Sequence, residues 1–532
     1  MDETPVFSHA AVVAPHARAA RVGRDLLAQG ANAIEAMVGM AATVAVVYPH
    51  MNGPGGDAFW MVRERGGRVR CLEACGFAGA GATLAAYRAR GHEDAPPPRG
   101  VEAVVTTPGA VAGWSLALEL SRALGGRMDA RHLLADSIAA ARDGFPIADA
   151  ESRCLPAEID DLRDMPGFAS TYLEGGQAPK PGAVRRFPAL AGTLERLAHA
   201  GLDDFYRGDV ARELAADLER LDAAVTRADL VRTRARETRP LSLALEGARL
   251  HNSPPPTQGL ASLALLGIHR RLAIRPGDDF AWTHGMVEAA KRALLLREAL
   301  CHEPALDDGD PADALTDAAL AREAAAIDMR RAARWPGRRR DSGGTVWMGA
   351  IDGTGLAVSY IQSIYWEYGS GIVSPSTGVL MSNRGVAFSL DPASKRALAP
   401  GRRPFHTLNP PLAEWANGDV LAYGSMGGDG QPQFQAQVFA RIVRGGGLAA
   451  ALDAPRFRFG RDWGEVDATL KLEGRIDDAL ARRLAEAGHE VVRVEAPYAD
   501  AFGHAGALRR RARDGAIEAA HDPRSDGAAM GL

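Results

Sequence analysis

Alternating helical and strand patterns predict a layered α/β protein built around a sheet core. Three stretches carry that class. Pro15 to Gln29 places Ala19, Val22, Leu26 and Leu27 on one helical face and stops at Gly30. Asn32 to Val47 is apolar almost throughout, as a buried helix would be, and Ala58 to Arg63 follows as a strand. Towards the other end, helices from Gln433 to Val443 and from Asp477 to Ala487 are closed by Gly445 and Gly488, and Glu490 to Val494 follows as a strand.

The segments between are read in order. Gly53-Pro54-Gly55-Gly56 is a tight turn, because a strand follows it and not the helix that a phosphate-cradling loop needs. Arg70 to Cys75 reads as a strand with Cys71 and Cys75 on one side; without a second Cys or His pair nearby, these are buried thiols and not metal ligands. Ala189 to Leu300 reads as mostly helical, interrupted at Ser253-Pro254-Pro255-Pro256. Residues 303–342 are polar and charged and read as an exposed connector.

Bulk properties exclude several classes. The 532 residues are 46% hydrophobic and 24% charged, the composition of a globular protein with a sizeable core. A formal charge of −4 favours no polyanion, and Arg338-Arg339-Arg340 reads as a solvated run. Met1-Asp2-Glu3-Thr4-Pro5 lacks the basic and apolar regions of a secretory signal. The most apolar stretch, Ala36 to Tyr48, is shorter than the ~20 residues of a membrane span. Four cysteines are too few for a disulfide scaffold and suit a reducing, cytoplasmic compartment.

The chemistry concentrates at Asp341-Ser342-Gly343-Gly344-Thr345-Val346-Trp347. Cleavage between Gly344 and Thr345 would expose an N-terminal threonine, whose α-amine can take the proton of its own hydroxyl. Gly344 suits the scissile position because it has no Cβ to obstruct its carbonyl and tolerates strain. Strands 345–351 and 356–362 are joined by Asp352-Gly353-Thr354-Gly355, a hairpin turn. A four-residue loop pairs Ile351 with Leu356 and Thr345 with Gln362, leaving Ser363 one residue away. Opposed residues lie roughly 5 Å apart, so the Ser363 hydroxyl is a candidate to orient the nucleophile.

Thr345 to Asp352 with Gly355-Leu356-Ala357-Val358-Ser359 resembles the start of the small subunit of the γ-glutamyltranspeptidases, a family of N-terminal nucleophile hydrolases. The resemblance continues through Tyr48-Pro49-His50-Met51 with Gly55-Gly56, Pro108 to Trp114, Tyr368 to Val373, Gly401 to Pro410, Gly424 to Gly428 and Asp522 to Gly527, in the family's order over nearly the whole chain. It implies a four-layer αββα sandwich, a large chain 1–344 and a small chain 345–532 that pair as a heterodimer, and no cofactor. It also implies that Ser363 stands where the family has a second catalytic-site threonine and that Gly427-Gly428 is the oxyanion-hole pair.

The chain departs from the family where substrate is held. The arginine that grips the glutamyl α-carboxylate is replaced by Cys75, and the acid that holds the α-amino group by Ala387. Tyr365 replaces an asparagine, Arg384 a glutamine, and His406-Thr407 the paired serines. Losing an acid and gaining Arg384 favours an acyl group with a carboxylate and no ammonium. The string Tyr48 to Trp60 is most similar to a cytoplasmic branch of the family that includes oxamate amidohydrolases. The expectation is an autoprocessed amidohydrolase acting on a small acidic amide, with possible further dimerisation of the heterodimer. The alternatives are a γ-glutamyl hydrolase or transpeptidase, a glutaryl-amide acylase, or an unprocessed binding protein.

Overall fold

The computed structural model describes residues 3–306, 309–335, 344–460 and 469–532. Arg338-Arg339-Arg340, the string Asp341 to Gly343 and parts of the 303–342 segment lie outside them.

Two seven-stranded antiparallel sheets stack face to face. The first runs Ala528–Gly531, Ala11–Ala14, Gly344–Ile351, Ala357–Tyr365, Asp57–Arg63, Val69–Ala74 and Arg236–Thr238. The second runs Val6–Phe7, Ile517–His521, Ala505–Arg510, Val420–Ser425, Leu412–Trp415, Ala248–Asn252 and Leu241–Leu245. Side chains alternate across each strand. Val13, Met61, Trp347 and Ile351 of the first sheet therefore meet Leu412, Ala422 and Leu508 of the second.

The outer faces are covered by helices. Val346, Met348 and Tyr360 pack with Met40 and Val44 of the helix Ala33–Val47 and Trp114 of the helix Ala110–Ala123. Leu243, Leu421 and Tyr423 pack under the helices Gly259–Arg270, Asp279–Leu300 and Gln431–Val443. The molecule is the expected αββα sandwich.

Local chemistry explains the element that carries Thr345. Asp352 ends its strand and accepts from Thr354 N, Thr354 Oγ1 and Leu356 N through Oδ1. Its Oδ2 accepts Ala33 N at 3.0 Å, placing a carboxylate on the first turn of the buried helix. Asn32 and Glu35 complete that turn as a reciprocal capping box.

Three expectations are corrected. The hairpin register is one residue off: Ile351 pairs with Ala357, the loop holds five residues, and a bulge between Gly344 and Val346 leaves Ser363 in the place opposite Thr345. The middle segment is mostly helical as expected, but its helices are interrupted after Arg232 and resume at Gly259; between them Arg236–Thr238, Leu241–Leu245 and Ala248–Asn252 are strands at the edges of both sheets. The 303–342 segment is not simply exposed, because Asp317–Ala325 is a helix that buries Leu320 in the core above the second sheet.

Candidate functional site

Thr345 and Ser363 both point between the sheets, at the end of the Trp347 row. Thr345 is 1% exposed. Its Oγ1 lies 2.7 Å from the Gly344 carbonyl oxygen and 3.3 Å from Ser363 Oγ. The Ser363 hydroxyl donates to the same carbonyl at 2.5 Å and accepts the Tyr365 amide at 2.7 Å. Two hydroxyls thus converge on the carbonyl of the peptide bond that precedes Thr345. A Cβ on Gly344 would stand 3.2 Å from Glu367 N and Met51 Sδ and 3.3 Å from His50 O. The case for glycine here is space, since its φ lies outside the left-handed region.

Strain sits instead at Tyr365, a non-glycine residue with φ of 82°. Its amide donates to Ser363, and its ring lies beneath Arg384, whose guanidinium carbon is 3.6 Å from the ring centroid. Arg384 is 1% exposed, and its Nη2 donates to Thr407 Oγ1 at 3.2 Å. Ser382 fastens this turn to the Ser363 strand, accepting Arg384 N and donating to Ile364 O.

His406 stands beside them with both ring nitrogens engaged. The Leu408 amide donates to Nδ1 at 3.3 Å, so Nε2 carries the proton and donates to Asp57 Oδ2 at 2.9 Å. Burial, with the Arg384 charge adding to it, pulls the His406 pKa down to about 4, so the ring is neutral. Cys75, Asp57 and His406 offer ligand-type atoms within 4.8 Å of one another. Burial, with Asp57 and Glu73 nearby, pushes the Cys75 thiol well up, so the thiol is protonated here.

Gly427 and Gly428 follow the strand Val420–Ser425 with φ of 119° and 51°. Gln258 holds this loop in register with the pocket: its Nε2 donates to both Gly428 O and Thr407 O at 2.8 Å. A cavity of about 870 Å³ opens alongside, lined by Tyr365, Trp366, Ala387 and Phe405 with Arg297 and Arg396. The structure therefore brings Cys75, Tyr365, Arg384, His406 and Thr407 together and links them to Gly428.

Sequence reasoning passed over Asp57 and Gln258. An aspartate opening the apolar run Ala58 to Val62 was the available signal for the first. Nothing local marks the second, which matters only because the fold joins residues 258, 407 and 428.

Comparison with known proteins identifies the family and the fold. The family model described as Gamma-glutamyltranspeptidase matches residues 19–532. The chain is 48% identical over 533 residues to the oxamate amidohydrolase proenzyme of Klebsiella pneumoniae, covering 100% of both chains. It is 34% identical over 537 residues to the glutathione hydrolase-like YwrD proenzyme of Bacillus subtilis, again covering 100% of both. The crystal structure of a cephalosporin acylase from Bacillus halodurans superposes with a TM-score of 0.91 at 30% identity, over 100% of this chain and 97% of that one.

Proposed function

Because the chain belongs to the γ-glutamyltranspeptidase family, a family of amide-bond hydrolases and acyltransferases, we propose that it cleaves itself before Thr345 and then hydrolyses a small carboxylate-bearing amide such as oxamate. The observation that carries this reading is the convergence of the Thr345 and Ser363 hydroxyls on the Gly344 carbonyl.

In the first reaction Thr345 Oγ1 attacks the Gly344 carbonyl carbon. The peptide nitrogen leaves as the Thr345 α-amine, giving an ester that water hydrolyses to a Gly344 carboxylate and a free N-terminal threonine. Ser363 donates to the oxygen on which charge develops. In the second, the α-amine takes the Thr345 hydroxyl proton as Oγ1 attacks the substrate amide and passes it to the departing ammonia. Water, deprotonated by the same amine, then releases the acid. The Gly427 and Gly428 amides are assigned to the substrate oxyanion, and Arg384, oriented by Tyr365 and Thr407, to the carboxylate. Ala387 offers a substrate ammonium no counter-charge, so γ-glutamyl amides are disfavoured. The cleaved chains stay paired, and a reducing cytoplasm suits the four free cysteines. Among the described residues no helix is long and apolar enough to cross a membrane.

The test compares wild type with Thr345→Ala by intact mass, then assays oxamate, a γ-glutamyl anilide and a glutaryl anilide. Fragments meeting at Gly344/Thr345 in wild type alone, with ammonia released from oxamate, are expected. Turnover of only the γ-glutamyl substrate would reverse the assignment of Arg384.

A further inference from the structure

The Asp57 carboxylate is buried in the first sheet, with its backbone paired to Ser363 on the neighbouring strand. Each oxygen has a separate duty. Oδ1 accepts Gly76 N at 2.8 Å, at the turn that carries Cys75, and Oδ2 accepts His406 Nε2 at 2.9 Å. A Cβ built on Gly109 would lie 2.8 Å from Oδ1, so the carboxylate also sits against the start of the helix Ala110–Ala123, where a negative charge is favoured. We propose that Asp57 is the positioning residue for the carboxylate clamp: by fixing the His406 tautomer it sets the 406–408 turn, and that turn presents Thr407 Oγ1 to Arg384.

The tautomer is constrained from both sides. Leu408 N needs an acceptor at Nδ1, and Asp57 needs a donor at Nε2. Residue 57 must therefore accept twice, from Gly76 N–H and from His406 Nε2–H. A carboxylate does so; an asparagine of the same shape has one acceptor oxygen and would turn an N–H towards a donor. His406 has no second arrangement that satisfies Leu408, so Asp57→Asn would break the Leu408 bond and shift the Thr407 hydroxyl, while Pro256, Gln258 and Asn409 still hold the backbone of the turn. Nothing in this chain of contacts passes through Thr345 or the Gly344 carbonyl, so self-cleavage is expected to survive.

This inference rests on Arg384 binding the substrate carboxylate, and the experiment separates the two. Oxamate and its uncharged ester, ethyl oxamate, are assayed with wild type, Asp57→Asn, Arg384→Ala and the double variant, alongside calorimetric binding of oxamate and intact-mass measurement of cleavage. Asp57→Asn should cleave fully, raise KM for oxamate at least tenfold with kcat within about threefold, leave ethyl oxamate nearly unaffected, and add little to Arg384→Ala. Equal losses on both substrates, or additive losses in the double variant, would overturn the role of Asp57. If Arg384→Ala binds oxamate as tightly as wild type, the clamp itself is wrong. Should Asp57→Asn fail to fold, Thr407→Val, which removes only the acceptor hydroxyl, must give the same KM-specific defect; an unchanged KM there overturns the relay.

Discussion

Ser363 suits the role proposed for it beside Thr345 because of what surrounds its oxygen. The Tyr365 amide donates into it, which biases the serine proton towards the Gly344 carbonyl. Ser363→Ala removes a preorganised donor from the developing oxyanion, a change that costs about 10²–10³ in rate where it has been measured. Self-cleavage should slow by a factor of that order while the fold persists, followed as fragment masses over time; Ser363→Thr should retain most of the rate. The closeness of Thr345 and Ser363 was legible in the sequence because hairpin pairing alone brings them together. Asp57 and Gln258 were not, since their partners at 406, 407 and 428 are brought to them by the stacking of the two sheets.

At the scale of the strand, Thr345 is placed by what Trp347 does two residues later. Its indole lies between the sheets, donates to Ser359 Oγ at 2.9 Å, and fills a socket that exists because side chains are missing around it. A Cβ on Gly424 would fall 2.2 Å from the indole Cδ1, and one on Gly506 2.4 Å from its Cζ3. Gly424→Ala should therefore overpack the sandwich and cost about 1–3 kcal/mol or more. Urea unfolding in a Thr345→Ala background, where the chain stays whole, measures this directly; a loss under about 0.5 kcal/mol, the range of ordinary surface changes, would refute the socket. Periodicity revealed the long helices because their apolar faces repeat over several turns. It failed for Leu241–Leu245, although the buried and exposed residues there alternate strictly, because a five-residue strand followed by a Glu246-Gly247 turn is brief beside the helices on either side. The register slip arose at Leu356, which the loop absorbs as a fifth residue through Asp352.

Across the whole molecule, the segments before and after Thr345 are interleaved. The first sheet sets Ala11–Ala14 and Asp57–Arg63 beside strands that follow the proposed cleavage point, and the second sets Ala248–Asn252 beside Leu412–Trp415. Cutting the Gly344–Thr345 bond, as proposed, would therefore leave a common core, and stability would belong to the pair. That core holds imidazoles as neutral groups. Burial draws His406 down to about 4 and His50 down to about 3, and the His50 ring nitrogens find no hydrogen-bond partner among the described residues. Their ordinary value is 6.5, so between about pH 6.5 and 4 the unfolded chain binds protons that the fold refuses. Their contribution is complete above about pH 6.5 and is lost as the pH falls, with His406 alone accounting for roughly 3 kcal/mol over that span. Thermal unfolding of Thr345→Ala protein should show Tm falling steadily from pH 7 to pH 4. His50→Phe, which keeps a planar ring and removes the titration, should flatten part of that slope; an unchanged slope would mean that His50 is already protonated within the fold.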